Sequence, residues 1–112
     1  MSSWSVSPAT RLEGRIRVPG DKSVSHRALM LGAIAEGITT ADGFLASEDC
    51  LATLKALSTL GVKIERPAAT SVRIEGVGLR GLHGTTAALD MGNAGTAMRL
   101  FMGLLSGQSF DS

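Results

Sequence analysis

The chain carries one turn-to-helix passage twice. Sliding the sequence by 72 residues lays Gly20 on Gly92, Asp21 on Asn93, Ser23 on Gly95, Arg27 on Arg99 and Met30 on Met102, with Ala28 on Leu100 and Leu29 on Phe101. Self-similarity at a fixed offset marks a fold assembled from copies of one supersecondary unit, because such a unit buries its apolar face only against a neighbour. Each copy opens at a glycine turn, enters an amphipathic helix and places an arginine one turn inside it.

The intervening sequence supplies the rest of the unit. Residues 1–10 offer no periodicity and one aromatic, Trp4, and read as an extended lead-in. Arg15-Ile16-Arg17-Val18 alternates as a half-buried strand does, and Pro19-Gly20 stops it. In the first helix Val24, Ala28, Leu31 and Ala35 recur at spacings of four, three and four, Leu29 and Ile34 widen that stripe, and Gly37 ends it. Residues 38–45 read as a strand, weakened by Asp42-Gly43. Ser47 is placed to cap a second helix with Glu48 and Asp49 in its first turn and Leu51, Leu54, Leu57 and Leu60 on its apolar face. Residues 62–65 and 72–75 alternate around the turn-like 67–70 and predict a hairpin. A loop-rich stretch over 76–86, a short strand over 87–90 and a helix over 94–105 follow, with Met30, Met91, Met98 and Met102 read as packing residues. The order is strand, helix, strand, helix, two strands, then strand and helix again: an α/β chain of repeated units. Its divisions are a lead-in and strand (1–18), a first unit (19–86) and the start of a second (87–112).

Composition narrows the function classes. With 112 residues there is one core, and 44% hydrophobic against 19% charged residues is ordinary for a folded domain. A net charge of +1 provides no broad field to attract nucleic acid or an anionic membrane, so any anion is caught by a local cluster. The lone Cys50 excludes an internal disulfide and fits a reducing compartment. No run has signal-peptide or membrane-spanning character, so the expected location is the cytoplasm, or a plastid if a transit peptide has been removed.

The two turns carry the chemistry. A helix N-terminus presents unpaired N–H groups and the positive end of the macrodipole, so cations there are unfavourable by about 0.3–1 kcal/mol each unless an anion completes the arrangement. Lys22, Ser23 and Arg27 converge on such a mouth, Ser23 and Arg27 on one helical face. The alternative is a Ser-capped surface helix with solvated cations. In the second copy Gly92 and Gly95 flank Asn93-Ala94, and Thr96 and Arg99 follow. Glycines there let backbone N–H groups approach a ligand that a Cβ would hold off, although the pattern is neither GxGxxG nor a P-loop, and a tight connection is the alternative. Asp49 is read as orienting Lys22 or taking a proton, with stabilisation of its own helix dipole as the alternative. His26 beside the clamp and His83 in a glycine-rich loop read as surface or packed residues, Cys50 as a small helix residue, and the histidines have no ligand spacing for a metal.

The run PGDKSVSHRAL together with LDMGNAGTAMR resembles the 5-enolpyruvylshikimate-3-phosphate synthase family, also called 3-phosphoshikimate 1-carboxyvinyltransferases, and the likeness extends over residues 10–112. That resemblance implies two domains, each of three βαβαββ units. It implies transfer of the enolpyruvyl group of phosphoenolpyruvate to the 5-hydroxyl of shikimate 3-phosphate with release of phosphate, on the way to chorismate and aromatic amino acids, without metal or organic cofactor. By motif, Lys22 is the catalytic residue and contacts both substrates, Ser23 and Arg27 hold shikimate 3-phosphate, and Asn93, Gly95 and Thr96 line the phosphoenolpyruvate site, with the motif's Arg99 and, from the residues themselves, Asp49 as supporting candidates. Glycine at the position of Gly95 leaves room for the inhibitor glyphosate; Leu100 stands where many members have proline. Members are far longer than this chain, so the resemblance implies an N-terminal segment that is inactive until joined by the remainder of the enzyme, possibly as a second chain. UDP-N-acetylglucosamine enolpyruvyl transferases share the chemistry, but SVSHR over 23–27 favours the shikimate branch. A non-catalytic anion-binding or complementation module is the reading from another class.

Overall fold

A computed structural model describes residues 2–112. Six elements form: α1 (Lys22–Ile34), β1 (Glu36–Asp42), α2 (Glu48–Thr59), β2 (Lys63–Ala68), β3 (Ser71–Val77) and α3 (Gly95–Ser106). β3 is the central strand of an antiparallel sheet in the order β1-β3-β2. Its register runs from Glu36 opposite Val77 to Asp42 opposite Ser71 on one side. On the other it runs from Lys63 opposite Glu75, with an irregularity between Glu65 and Ala68. Pro67 lies in that irregularity, on an edge strand, where its missing N–H removes no needed ladder bond.

Alternation along β3 sorts the two faces of the sheet. Val72 and Ile74 point inward and are buried. Arg73 and Glu75 point outward, where Arg73 Nη1 pairs with Glu75 Oε1 at 2.9 Å and Lys63 and Glu65 of β2 extend the charge ladder. α1 and α2 cover the inner face, and Leu29, Ala33, Leu57, Leu60, Val72 and Ile74 share one core with Phe44, Met91 and the inner residues of α3, Ala97, Phe101 and Leu105. The approach of α1 to β3 is unusually close. A Cβ at Gly76 would lie 2.1 Å from Ala35 O and 2.7 Å from Gly32 O, so only glycine fits under the last turn of that helix.

Four sequence expectations change. The helix stops at Ile34 with Ala35 as an extended C-cap, and Gly37 belongs to β1, opposite Gly76. The buried face of α1 is Ser25, His26, Leu29, Met30, Gly32 and Ala33, about one residue out of phase with the expected stripe, so Val24 and Leu31 are 54% and 63% exposed. Two polar residues with interior partners hold that phase, a signal that apolar spacing does not carry. Met98 and Met102 of α3 are likewise exposed rather than packed. Residues 15–18 and 87–90 lie outside the sheet: a strand is defined by its pairing, and among the described residues neither segment has a partner. Residues 2–19 are exposed throughout, Trp4, Ile16 and Val18 included. This extended arm gives a radius of gyration of 17.5 Å, against about 13 Å for a compact chain of this size. Among the described residues no helix is long and apolar enough to cross a membrane.

Candidate anion-binding site

The first clamp is assembled by contacts around the start of α1. Asp21 is the N-cap: its carboxylate accepts the Val24 N–H at 3.0 Å. Ser25 Oγ donates to Asp21 O at 2.7 Å and accepts the Leu45 N–H at 3.0 Å, tying the loop after β1 to the helix mouth. Gly20 presses into that loop, since a Cβ there would lie 2.0 Å from Gly43 O. Lys22, the first residue of α1, reaches Asp49 in the first turn of α2, with Nζ to Oδ2 at 3.1 Å. Asp49 lies at the favourable end of its own helix and is paired with Lys22. Ser23 is half-buried in the same turn, and Arg27 is exposed one turn on, where its stem borders a groove with Met30, Leu31, Ile34, Leu100 and Leu104. α1 and α3, the two copies of the repeat, thus share a groove.

The second clamp is built differently. Met91 is buried and anchors the turn, and Gly92 adopts a φ of +56° while its N–H donates to Asp90 Oδ1 at 2.8 Å. α3 then begins after Ala94 with no side-chain cap. Its first N–H groups remain available to a ligand. Arg99 folds back over this mouth: a Cβ on Gly95 would lie 3.1 Å from Nη1. A guanidinium at the positive end of an uncapped helix is repelled by the dipole, and an anion between the two reverses the sign. Asn93 is exposed in the turn and Thr96 half-buried in the first helical turn. α1, by contrast, already spends one N–H on Asp21, so the stronger backbone anion site of the pair is the one at α3.

α2 joins the two turns. Asp49 takes Lys22, and Ala52, three residues on and on the same face, is the nearest neighbour of Gly92, 3.9 Å from where its Cβ would be. Beneath them lies the buried His26, whose Nδ1 is 2.8 Å from Thr53 Oγ1. Burial pushes its imidazole below the usual histidine range, Asp49 opposes the shift and Lys22 adds to it. Burial also pushes the Cys50 thiol up, and its Sγ faces Lys22 O at 3.7 Å. That thiol is an inert packing group. His83 is exposed in its loop, against Gly61. The cap of α1 is Asp21 and not a serine, because the Asp21 carboxylate reaches the Val24 N–H; an aspartate after Pro-Gly and ahead of a helical pattern is a cap signal that sequence reasoning missed. It missed the inward turn of Ser25 and Thr53, for which apolar periodicity offers no signal, and of the two readings of His26, surface or packed, the packed one holds.

A family model described as EPSP synthase (3-phosphoshikimate 1-carboxyvinyltransferase) matches residues 6–112. The 3-phosphoshikimate 1-carboxyvinyltransferase of Methylococcus capsulatus is 56% identical over 109 residues, covering 97% of this chain and 25% of that protein. The one from Hydrogenovibrio crunogenus is 57% identical over 108 residues, covering 96% and 24%. Among solved structures, EPSP synthase from Acinetobacter baumannii superposes with a TM-score of 0.83 at 58% identity over 88% of this chain and 22% of that one. The chain spans about a quarter of the length of the relatives it matches. Its helices and strands follow the EPSP synthase fold over that part, and the chain belongs to the EPSP synthase (3-phosphoshikimate 1-carboxyvinyltransferase) family.

Proposed function

We propose that this chain supplies one wall of a 3-phosphoshikimate 1-carboxyvinyltransferase site, transferring the enolpyruvyl group of phosphoenolpyruvate to the 5-hydroxyl of shikimate 3-phosphate with release of phosphate. The observation that carries the reading is the convergence of both turns on α2, Lys22 on Asp49 and Gly92 on Ala52. Two multiply charged anions repel each other. Cations and helix N-termini that face them from adjacent turns offset that repulsion and fix the approach of one to the other. In this reading Lys22 contacts both substrates. Ser23 and Arg27 hold shikimate 3-phosphate, while Asn93, Gly95 and Thr96 with the uncapped N–H groups of α3 receive phosphoenolpyruvate, and Arg99 adds charge at the same mouth. Glyphosate takes the space beside Gly95. The remaining ligands and acid–base groups come from the rest of the enzyme, so turnover requires that remainder.

The test joins this chain to the remainder of the Acinetobacter baumannii synthase and follows phosphate release from shikimate 3-phosphate and phosphoenolpyruvate. Turnover dependent on both substrates supports the reading. A folded hybrid that releases no phosphate contradicts it.

A further inference from the structure

The helices α1 and α2 are joined by two rungs one helical turn apart. Lys22 and His26 are four residues apart on α1, Asp49 and Thr53 four apart on α2, and the pairs that form are Lys22 with Asp49 (3.1 Å) and His26 with Thr53 (2.8 Å). The outer rung is a partly exposed ion pair; both members of the inner rung have 0% exposure. Thr53 Oγ1 also faces Asp49 O at 3.4 Å, so the inner rung ends on the backbone of the residue that holds Lys22. The hydrogen bonds favour one tautomer. If the threonine hydroxyl donates to Asp49 O, it accepts from His26 Nδ1–H, and the bare Nε2 left over is an acceptor. The opposite tautomer would bury an unpaired N–H. Among the described residues Nε2 has no partner, and an orphaned acceptor is the more tolerable of the two.

We propose that His26 is a positioning residue: its Nδ1–H bond to Thr53 sets the register of α1 on α2 and so places Lys22 Nζ against Asp49, in line with the substrates. The proposal rests on the reading of Lys22 as a substrate ligand. A long, half-exposed lysine side chain and an exposed ion pair do not fix a helix-to-helix register by themselves. A buried hydrogen bond does, because slippage leaves both of its polar atoms unsatisfied, and slippage by one turn, about 5.4 Å, would separate Lys22 from Asp49. The imidazole performs this role only when neutral. Protonated, it would meet Lys22 from its own helix with Asp49 across from it on α2, and its new Nε2–H would have no acceptor.

The experiment compares His26→Leu and Thr53→Val, which delete the bond, with His26→Asn and Thr53→Ser, which keep it. Asparagine retains a polar δ atom and removes the orphaned Nε2. In the hybrid enzyme described above, the deleting pair raises KM for shikimate 3-phosphate by about tenfold, the scale of one lost buried hydrogen bond, with a smaller loss of kcat. The conserving pair stays within about twofold. In a Lys22→Ala background the deleting variants add nothing further, because the residue they position is gone. Equal losses in the deleting and conserving variants, or additive losses with Lys22→Ala, overturn the proposal. If His26→Leu fails to fold, Thr53→Val decides the matter alone. Nitrogen resonances of His26 in the 112-residue chain give a readout independent of activity: a protonated Nδ1 with a bare Nε2 is expected, and the reverse tautomer overturns the rung. An inactive unsubstituted hybrid with the expected tautomer refutes the functional reading and leaves the rung standing.

Discussion

Lys22 Nζ lies 3.1 Å from Asp49 Oδ2, linking the first residue of α1 to the second of α2 with half of the lysine side chain and a quarter of the carboxylate still in solvent. Such a pair contributes little to stability, about 0.2–1 kcal/mol, so its value lies in aiming the ammonium. Asp49→Asn is therefore expected to leave the urea midpoint almost unchanged while lowering kcat/KM of the hybrid by about tenfold, as Lys22 loses its anchor. Parallel denaturation and steady-state kinetics check this. A large loss of stability with unchanged kinetics contradicts it.

Gly95→Ala separates binding from folding in the same way. Its methyl would lie 3.1 Å from Arg99 Nη1, the far end of a flexible side chain, so the arginine moves rather than the backbone. Alanine is also the better helix former, and stability should hold or rise by up to about 1 kcal/mol. Phosphoenolpyruvate KM is expected to rise by about tenfold, as the guanidinium is displaced from the helix mouth, with glyphosate inhibition weakened in parallel. Unchanged KM for phosphoenolpyruvate refutes this account of Arg99.

Gly76→Ala tests the packing that supports the site. Here the new methyl meets backbone, Ala35 O at 2.1 Å, and α1 must lift off β3 to admit it. Overpacking against a rigid neighbour costs about 3 kcal/mol or more. Chemical denaturation of the chain should show a loss of that size. A neutral effect shows that α1 does not sit on the strand at this distance.

Stability should fall on mild acidification. Burial lowers the His26 pKa, with Asp49 and Lys22 modifying the shift, so below the ordinary value of 6.5 the unfolded chain binds a proton that the folded chain refuses. The unfolded state then holds more protons, stability rises with pH across that window, and the contribution is complete above 6.5 and lost as pH falls toward the folded value. Glu75, lowered by its bond to Arg73 and by Lys63, acts in a separate window below 4.5. Melting temperatures between neutral pH and pH 5 should decline, and His26→Asn should flatten that decline while leaving the acid limb intact. An unchanged slope in His26→Asn contradicts the assignment.

The legible parts of the fold were those whose cause is local. Ser47 accepts the Cys50 N–H at 3.3 Å at the start of α2, with Glu48 and Asp49 in the turn where their charges belong, and the alternation over 62–65 and 72–75 became β2 and β3. What escaped the sequence has its cause elsewhere in the chain. Ser25 and His26 turn inward because Leu45 and Thr53 receive them, and their partners lie 20 and 27 residues away. The alternating 15–18 was expected to pair and does not, since alternation prepares a strand but a neighbour makes it. Of the site, the two glycine turns and their cations were readable from the repeat. The role of α2 in joining them was only one of the options for Asp49, and the contact of Ala52 with Gly92 had no signature at all.

The most direct measurement is phosphate release by the hybrid enzyme with Lys22 and with Lys22→Ala, at saturating shikimate 3-phosphate and phosphoenolpyruvate. In the proposed reading Lys22 faces both anions, and losing such a charged donor costs about 3–4 kcal/mol of transition-state stabilisation, so the substitution should reduce turnover by about 10²–10³-fold while the fold persists. Turnover equal to that of the unsubstituted enzyme would contradict the central claim that the turn before α1, aimed by Asp49, holds the reacting anions.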